Sequence, residues 1–219
     1  MKRTLVLLAV VLIFVALPSF ADTVTFSLNN STVSGDLCSA PNCVSGGYGT
    51  VQIAQNGTNS VTVTETLNLN TVKGFVNTGA GDALDFSISG SPTITIPTSS
   101  LTSGFSYLGK GSYSAGGAGT FTYAISCTVC GSGGSNPDNA ILSFIVNATG
   151  ITPASFEVKN GNGFYIASDV MLTDGKTGMV EATGYTTSPV PEPASLAMVG
   201  TGLVGLAGVV RRKLKSVIG

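Results

Sequence analysis

The chain has 219 residues, of which only 10% are charged, a formal net charge of −1, and neither histidine nor tryptophan. Without histidine, Ser-His-Asp and Cys-His hydrolysis and His-based zinc sites are excluded in their usual forms. Between Asp22 and Val190 there are four lysines against ten acidic residues, a balance of −6. That stretch has no basic cluster to neutralise phosphates, which excludes nucleic acid as a partner.

The chain opens with Lys2 and Arg3, an apolar run from Leu5 to Leu17, and the small-residue pattern Ser19-Phe20-Ala21. This is the layout of a secretory signal peptide over 1–21, cut between Ala21 and Asp22. Setting aside this leader and the C-terminal segment leaves about 170 residues, enough for one domain with its own core.

From Asp22 onward the dominant pattern is alternation with period two. Val24, Phe26 and Leu28 alternate with Thr23, Thr25 and Ser27; Val61, Val63, Leu67 and Leu69 alternate with Thr62, Thr64, Thr66 and Asn68. Phe121, Tyr123 and Ile125 repeat the pattern against Thr120, Thr122 and Ala124. Such strands bury one face and wet the other, as antiparallel sheets do. Further strands are expected near Gly49 to Ala54, Ala83 to Ser89, Thr93 to Ile96, Ile141 to Asn147, Phe164 to Val170 and Gly178 to Thr183. Turn clusters separate them, among them Asn56-Gly57, Gly79-Ala80-Gly81-Asp82, Asn160-Gly161-Asn162-Gly163 and Asp174-Gly175. Thr152-Pro153-Ala154-Ser155 reads as one helical turn, with Thr as N-cap and Pro at the first position. The expected fold over 22–187 is an all-β, antiparallel β-sandwich of jelly-roll or immunoglobulin-like topology. No fixed-period repeat points to a solenoid.

In an exported chain the four cysteines favour disulfides. Three pairings are open, and the local ones, Cys38 with Cys43 and Cys127 with Cys130, are preferred. Cys127-x-x-Cys130 leads into Gly131-Ser132-Gly133-Gly134-Ser135, a loop. A thioredoxin-like redox centre would need a βαβ setting and a helix N-terminus instead.

Few residues suggest catalysis. Gly104 and Gly109-Lys110 have phosphate-loop spacing, but Gly111 stands where a metal-binding Ser or Thr belongs. The remaining acid–base candidates are the carboxylate pairs Asp82/Asp85 and Asp169/Asp174, which would suit a glycan hydrolase if each faced a sugar across a cleft. Asp169-x4-Asp174 lacks the Asp-x-Asp-x-Asp spacing of a recognised calcium loop, so no metal and no cofactor is assigned.

The end of the chain has three parts: a Pro-rich linker over 188–193 containing Val190-Pro191-Glu192-Pro193, an uncharged apolar run over 194–210, and a basic tail over 211–219 with Arg211, Arg212, Lys213 and Lys215. The run is long enough for a helix of roughly 25 Å, at the short end of what spans a bilayer. The prolines stop that helix, and the basic cluster would hold the tail on the cytoplasmic side as a stop-transfer signal.

Pro-Glu-Pro, a short Gly-rich span and a terminal Arg-Arg-Lys in that order resemble the PEP-CTERM sorting signal of Gram-negative bacteria. That signal is also known as an ice-binding-protein C-terminal domain. The resemblance covers about residues 189 to 215. It implies an exosortase, a membrane-embedded cysteine transpeptidase or protease, as processing partner, with the Sec translocon acting before it. It also implies anchoring in the inner membrane first, then release or reattachment at the cell surface or extracellular matrix. Gly74 to Leu84, Cys127-Thr128-Val129-Cys130-Gly131 and Phe164 to Asp169 are similar to segments of some PEP-CTERM ectodomains, a class without an assigned activity. The expected role is a non-enzymatic surface or matrix protein, with exopolysaccharide as a candidate contact. A carbohydrate-binding adhesin module with calcium-stabilised loops is the alternative, and a carboxylate-based glycan hydrolase is a third. The Thr-x-Thr arrays fit high β-propensity better than ice binding, being short and separated in sequence.

Overall fold

The computed structural model describes residues 22–33, 47–131, 133–138 and 141–188, together with Gly202. The leader 1–21 with its cut after Ala21, the Cys38–Cys43 pair, the Val190–Pro193 motif, the apolar run 194–210 apart from Gly202 and the basic tail all lie outside the described residues. Among the described residues no helix is long and apolar enough to cross a membrane.

The alternating segments are strands with their apolar side chains turned inward. In β1 (Thr23–Ser31) Val24, Phe26 and Leu28 are buried. β2 (Gly49–Gln55) and β3 (Ser60–Leu67) form a hairpin around Asn56-Gly57, where Gly57 takes φ 94° and the Asn56 N–H meets the Ser60 carbonyl at 2.8 Å. β4 (Val72–Phe75) and β5 (Leu84–Phe86) are short. β6 (Phe105–Ser114) and β7 (Thr120–Cys127) pair with each other, and β8 (Ile141–Asn147) pairs with β3. β9 (Ile166–Leu172) turns through Asp174-Gly175 into β10 (Thr177–Ser188). The expected turn after Thr152 is a 3-10 helix, Pro153–Phe156, closed by a reciprocal Thr152/Ser155 capping box.

All pairings are antiparallel, and the ten strands make one sheet in the order β6-β7-β5-β9-β10-β1-β2-β3-β8, with β4 added on β9. The all-β antiparallel expectation holds. In place of two hydrogen-bonded sheets, one sheet curls until its parts face each other across a common core. Two contacts establish the curl. The Phe86 ring of β5 lies 6.0 Å from Phe144 of β8, and the Ser168 hydroxyl of β9 donates to Glu65 Oε1 of β3 at 2.6 Å. In a flat sheet, with strands about 4.8 Å apart, those pairs would be separated by roughly 29 Å and 19 Å. Phe86 is the centre of the core, stacked on Tyr123 at 5.5 Å and on Phe156 at 5.7 Å.

Both ends of the sheet are protected from further pairing. Beyond β8 runs the segment 95–102: Thr95 bridges Asn147, and the Thr102 N–H reaches the Ser143 carbonyl at 2.9 Å. At the other end β6 is broken by register shifts on either side of Lys110, and its Tyr113 hydroxyl folds back to the Leu108 carbonyl at 2.9 Å.

Two expectations are corrected. Leu69 is not a core position but 60% exposed, because β3 ends at Leu67 and the chain turns. Thr93 to Ile96 is not a strand; it buries Ile94 and Ile96 but has only the Thr95 bridge. The Gly109-Lys110-Gly111 stretch, set aside above as a phosphate-type loop, is part of strand β6.

Candidate functional site

The curl gives the sheet two buried surfaces. The inner one holds the main core, including Phe26, Val63, Leu84, Phe86, Ile166 and Val180. On the outer face of β5, β9 and β10, a second small cluster gathers Ala167 and Met179 with Ala115, Ala118 and Phe121. Loops 78–83 and 115–119 lie over it. A Cβ on Gly81 would come within 2.6 Å of the Met179 sulfur, and one on Gly117 within 3.0 Å of Thr32.

The unusual chemistry is in these buried layers. Glu65, Asp85, Asp169 and Glu181 each have no exposed surface, whereas all four lysines of the ectodomain are exposed. Asp85 and Glu181 both pair with Ala167, and side chains of directly opposed residues share a face. Asp169 joins them two residues along β9. Its Oδ2 accepts the Thr78 N–H at 2.8 Å and the Thr78 hydroxyl at 2.6 Å. Asp85 Oδ2 accepts the Asp82 N–H at 3.1 Å, and the Asp169 N–H reaches the Asp82 carbonyl at 3.0 Å. Glu181 is fully bonded, to Asn30 and Thr32, each at 2.9 Å. Among the described residues three buried side-chain oxygens have no hydrogen-bond partner: Glu65 Oε2, Asp85 Oδ1 and Asp169 Oδ1.

Removing a carboxylate from water disfavours its charged form. Burial pushes Glu65 up to about 8 against the lowering pull of the Ser168 bond, with a smaller rise from the charge of Asp85. Burial likewise lifts Asp85 to about 7, opposed by the Asp82 N–H and reinforced by the charges of Asp82 and Asp169. Asp169 rises to about 6 and Glu181 to about 7, again through burial and against their hydrogen bonds. Asp82 is raised by burial, with a Ser126 bond working the other way.

Of the carboxylate pairs expected from sequence, the fold brings Asp82, Asp85 and Asp169 together and leaves Asp174 apart. Asp174 sits on the β9–β10 hairpin, 3.3 Å from Lys176. Asp85 and Asp169 are buried on strands beneath the loop that carries the half-buried Asp82. Among the described residues no three carboxyl, thiol or imidazole groups are placed to hold a metal ion. Glu65 and Glu181 were missed by the sequence reading, although Glu65 carried a signal: it stands at the inward step between Val63 and Leu67.

A second surface is the wet face of β1, β2, β3 and β8. Register places Thr25, Gln52, Thr64 and Ser143 in one row, with Thr23, Ala54, Thr62 and Ile145 beside it. The Thr64 and Ser143 hydroxyls meet at 3.1 Å. No charged side chain enters either row. Tyr185 of β10 stands on the other face of the sheet, paired with Phe26; it is exposed there, packs edge-on to Tyr165 at 5.3 Å and donates its hydroxyl to Glu157 at 2.6 Å.

Cys127 and Cys130 are joined in a disulfide with a Cα–Cα distance of 5.5 Å, as the local pairing required. It closes the end of β7 against the following loop, in no helical setting.

The last observation is where the fold stops. β10 ends at Ser188, which pairs with Thr23 of β1, so the first and last strands of the ectodomain finish side by side. Residues 189–213 match the family model of the PEP-CTERM protein-sorting motif. The chain carries a PEP-CTERM sorting signal. The PEP-CTERM match begins at the residue after β10 and includes Val190, Pro191, Glu192, Pro193, Arg211, Arg212 and Lys213, all but Lys215 of the residues assigned to motif and tail. No curated protein and no solved structure matches the chain.

Proposed function

We propose that this is an exported, non-enzymatic protein of the cell surface or extracellular matrix of a Gram-negative bacterium, its ectodomain freed or reattached by exosortase. The observation that carries the reading is the PEP-CTERM match starting where the sheet ends. Export agrees with a first strand that begins at Thr23, two residues after the expected leader cut behind Ala21. The described sheet lies within the compact unit Ala21–Ser188, so a cut near Pro191 to Pro193 falls after its last described strand. The intermediate is held in the inner membrane by 194–210, with Arg211, Arg212, Lys213 and Lys215 inside.

Processing is tested by intact mass. Surface material should end near Pro191 to Pro193, and Glu192→Ala should leave the apolar run attached. Mature wild-type protein still carrying Arg211 and Arg212 would refute exosortase processing.

A second reading, contact with polysaccharide, is favoured by the uncharged hydroxyl rows of β1, β2, β3 and β8. Neutral hydroxyls suit sugar hydroxyls better than they suit charged partners. Binding on a glycan array without turnover would support it, and turnover would establish the hydrolase reading instead.

A further inference from the structure

We propose that the ectodomain is an acid-requiring fold: Glu65 and the Asp82–Asp85–Asp169 group are built into the sheet as neutral carboxylic acids, and alkaline surroundings loosen it.

The geometry leaves few other ways to keep these groups buried. Around Glu65 on β3 stand Val51 of β2 and Leu142 of β8 as register neighbours, and Ser168 of β9 as its one hydrogen-bond donor. The nearest acidic influence is Asp85 of β5. Around the outer group stand Thr78, Ser126 of β7, Glu181 of β10 with Asn30 and Thr32, and the three Asp residues themselves. Every titratable group facing the cluster is an acid. Lys73, Lys110, Lys159 and Lys176 are all exposed, and Lys176 already lies against Asp174. A buried carboxylate with no cation costs several kcal/mol, whereas a neutral carboxyl lacking one hydrogen bond costs far less.

The hydrogen bonds agree with protons in these places. Glu65, Asp85 and Asp169 each use one oxygen as acceptor and leave the other without a donor. No partner stands within hydrogen-bond reach of that second oxygen, so a proton on it removes a charge that nothing else there offsets. A divalent cation is the competing neutraliser, but the described carboxyls do not converge on a point as ligands would.

The sign follows from linkage. Each carboxyl is held protonated to higher pH in the fold than in the unfolded chain. The stability it contributes is therefore complete below its unfolded pKa, near 4.5 for Glu65, and is lost as pH rises through the folded value. For Glu65, Asp85 and Asp169 that window runs from about pH 4 to about pH 8.

The test uses the full chain in neutral detergent, with urea unfolding followed by circular dichroism at pH 5, 7 and 9. The protonated-carboxyl infrared band is recorded on the same samples. Expected is a fall in the folded-to-unfolded ratio of roughly a hundredfold or more between pH 5 and pH 9. Glu65→Gln, which keeps the acceptor for Ser168 and cannot ionise, should flatten the upper part of that fall. Asp85→Asn should flatten the middle. If neither variant folds, the wild-type infrared band decides: it should be present at pH 5 and fade by pH 9. Stability that is level or rises toward pH 9, or no carboxyl band at pH 5, would overturn the inference. So would full rescue at pH 9 by calcium, which would make the group a cation site.

Discussion

The curl of the sheet can be tested with one thermodynamic cycle. Phe86 and Phe144 lie on strands six places apart in sheet order, yet their ring centroids are 6.0 Å apart at an interplanar angle of 34°. Both are fully buried, so each change to Ala should cost about 3–5 kcal/mol in lost transfer energy and cavity. Aromatic partners at this spacing couple by about 0.5–1.5 kcal/mol beyond burial. The double variant should therefore be more stable than the sum of the two losses predicts, by about that amount. Urea unfolding at pH 5 measures all four corners. If the double alanine protein does not fold, Phe86→Leu and Phe144→Leu close the same cycle at lower cost. Losses that add to within about 0.3 kcal/mol would mean the residues do not touch, and the single curled core would be wrong.

Two further outcomes are expected. Gly47 has φ 60°, and a Cβ there would sit 2.6 Å from the Leu28 carbonyl oxygen, so Gly47→Ala should lower stability by about 1–3 kcal/mol in thermal melts. No loss would show that the backbone entering β2 takes another path. Replacing Cys127 and Cys130 with Ser should cost only about 2–3 kcal/mol and leave the β-sheet spectrum unchanged, since the bridge closes a loop with a sequence separation of 3. Non-reducing peptide mapping should find Cys127 joined to Cys130; a long-range partner for either would contradict the structure.

Much of the strand set was legible because one face of each strand is wet. Thr-Val-Thr-Phe-Ser-Leu in β1 and Ser-Val-Thr-Val-Thr in β3 state their inward residues directly, and Ile141–Asn147 falls where alternation put it. β6 escaped because its side chains are largely exposed and its register breaks around Lys110, which removes the period. Strand order was out of reach: β1 pairs with β10, whose residues are more than 140 positions away, and alternation says which face is buried but not which neighbour buries it. For the buried acids, the chain showed the carboxylates but not their surroundings. Asp82 and Asp169 became neighbours only through the β5–β9 pairing and the loop that covers it.

The place of β10 within the sheet has a consequence for biogenesis. It is the last strand made, yet it lies between β9 and β1, the latter the first strand made. A polypeptide threaded across a membrane from its N-terminus delivers β1 at the start and must keep that strand's β10-facing edge open until about 150 further residues have crossed. Long-range closure of this kind is slow, and the waiting edge is open to wrong partners. Chaperoning in transit therefore matters most for β1. Because the sorting signal follows Ser188 without an intervening residue, its arrival at the membrane coincides with delivery of the strand that seals the fold. A sorting enzyme acting there handles chains whose ten described strands have already been translocated.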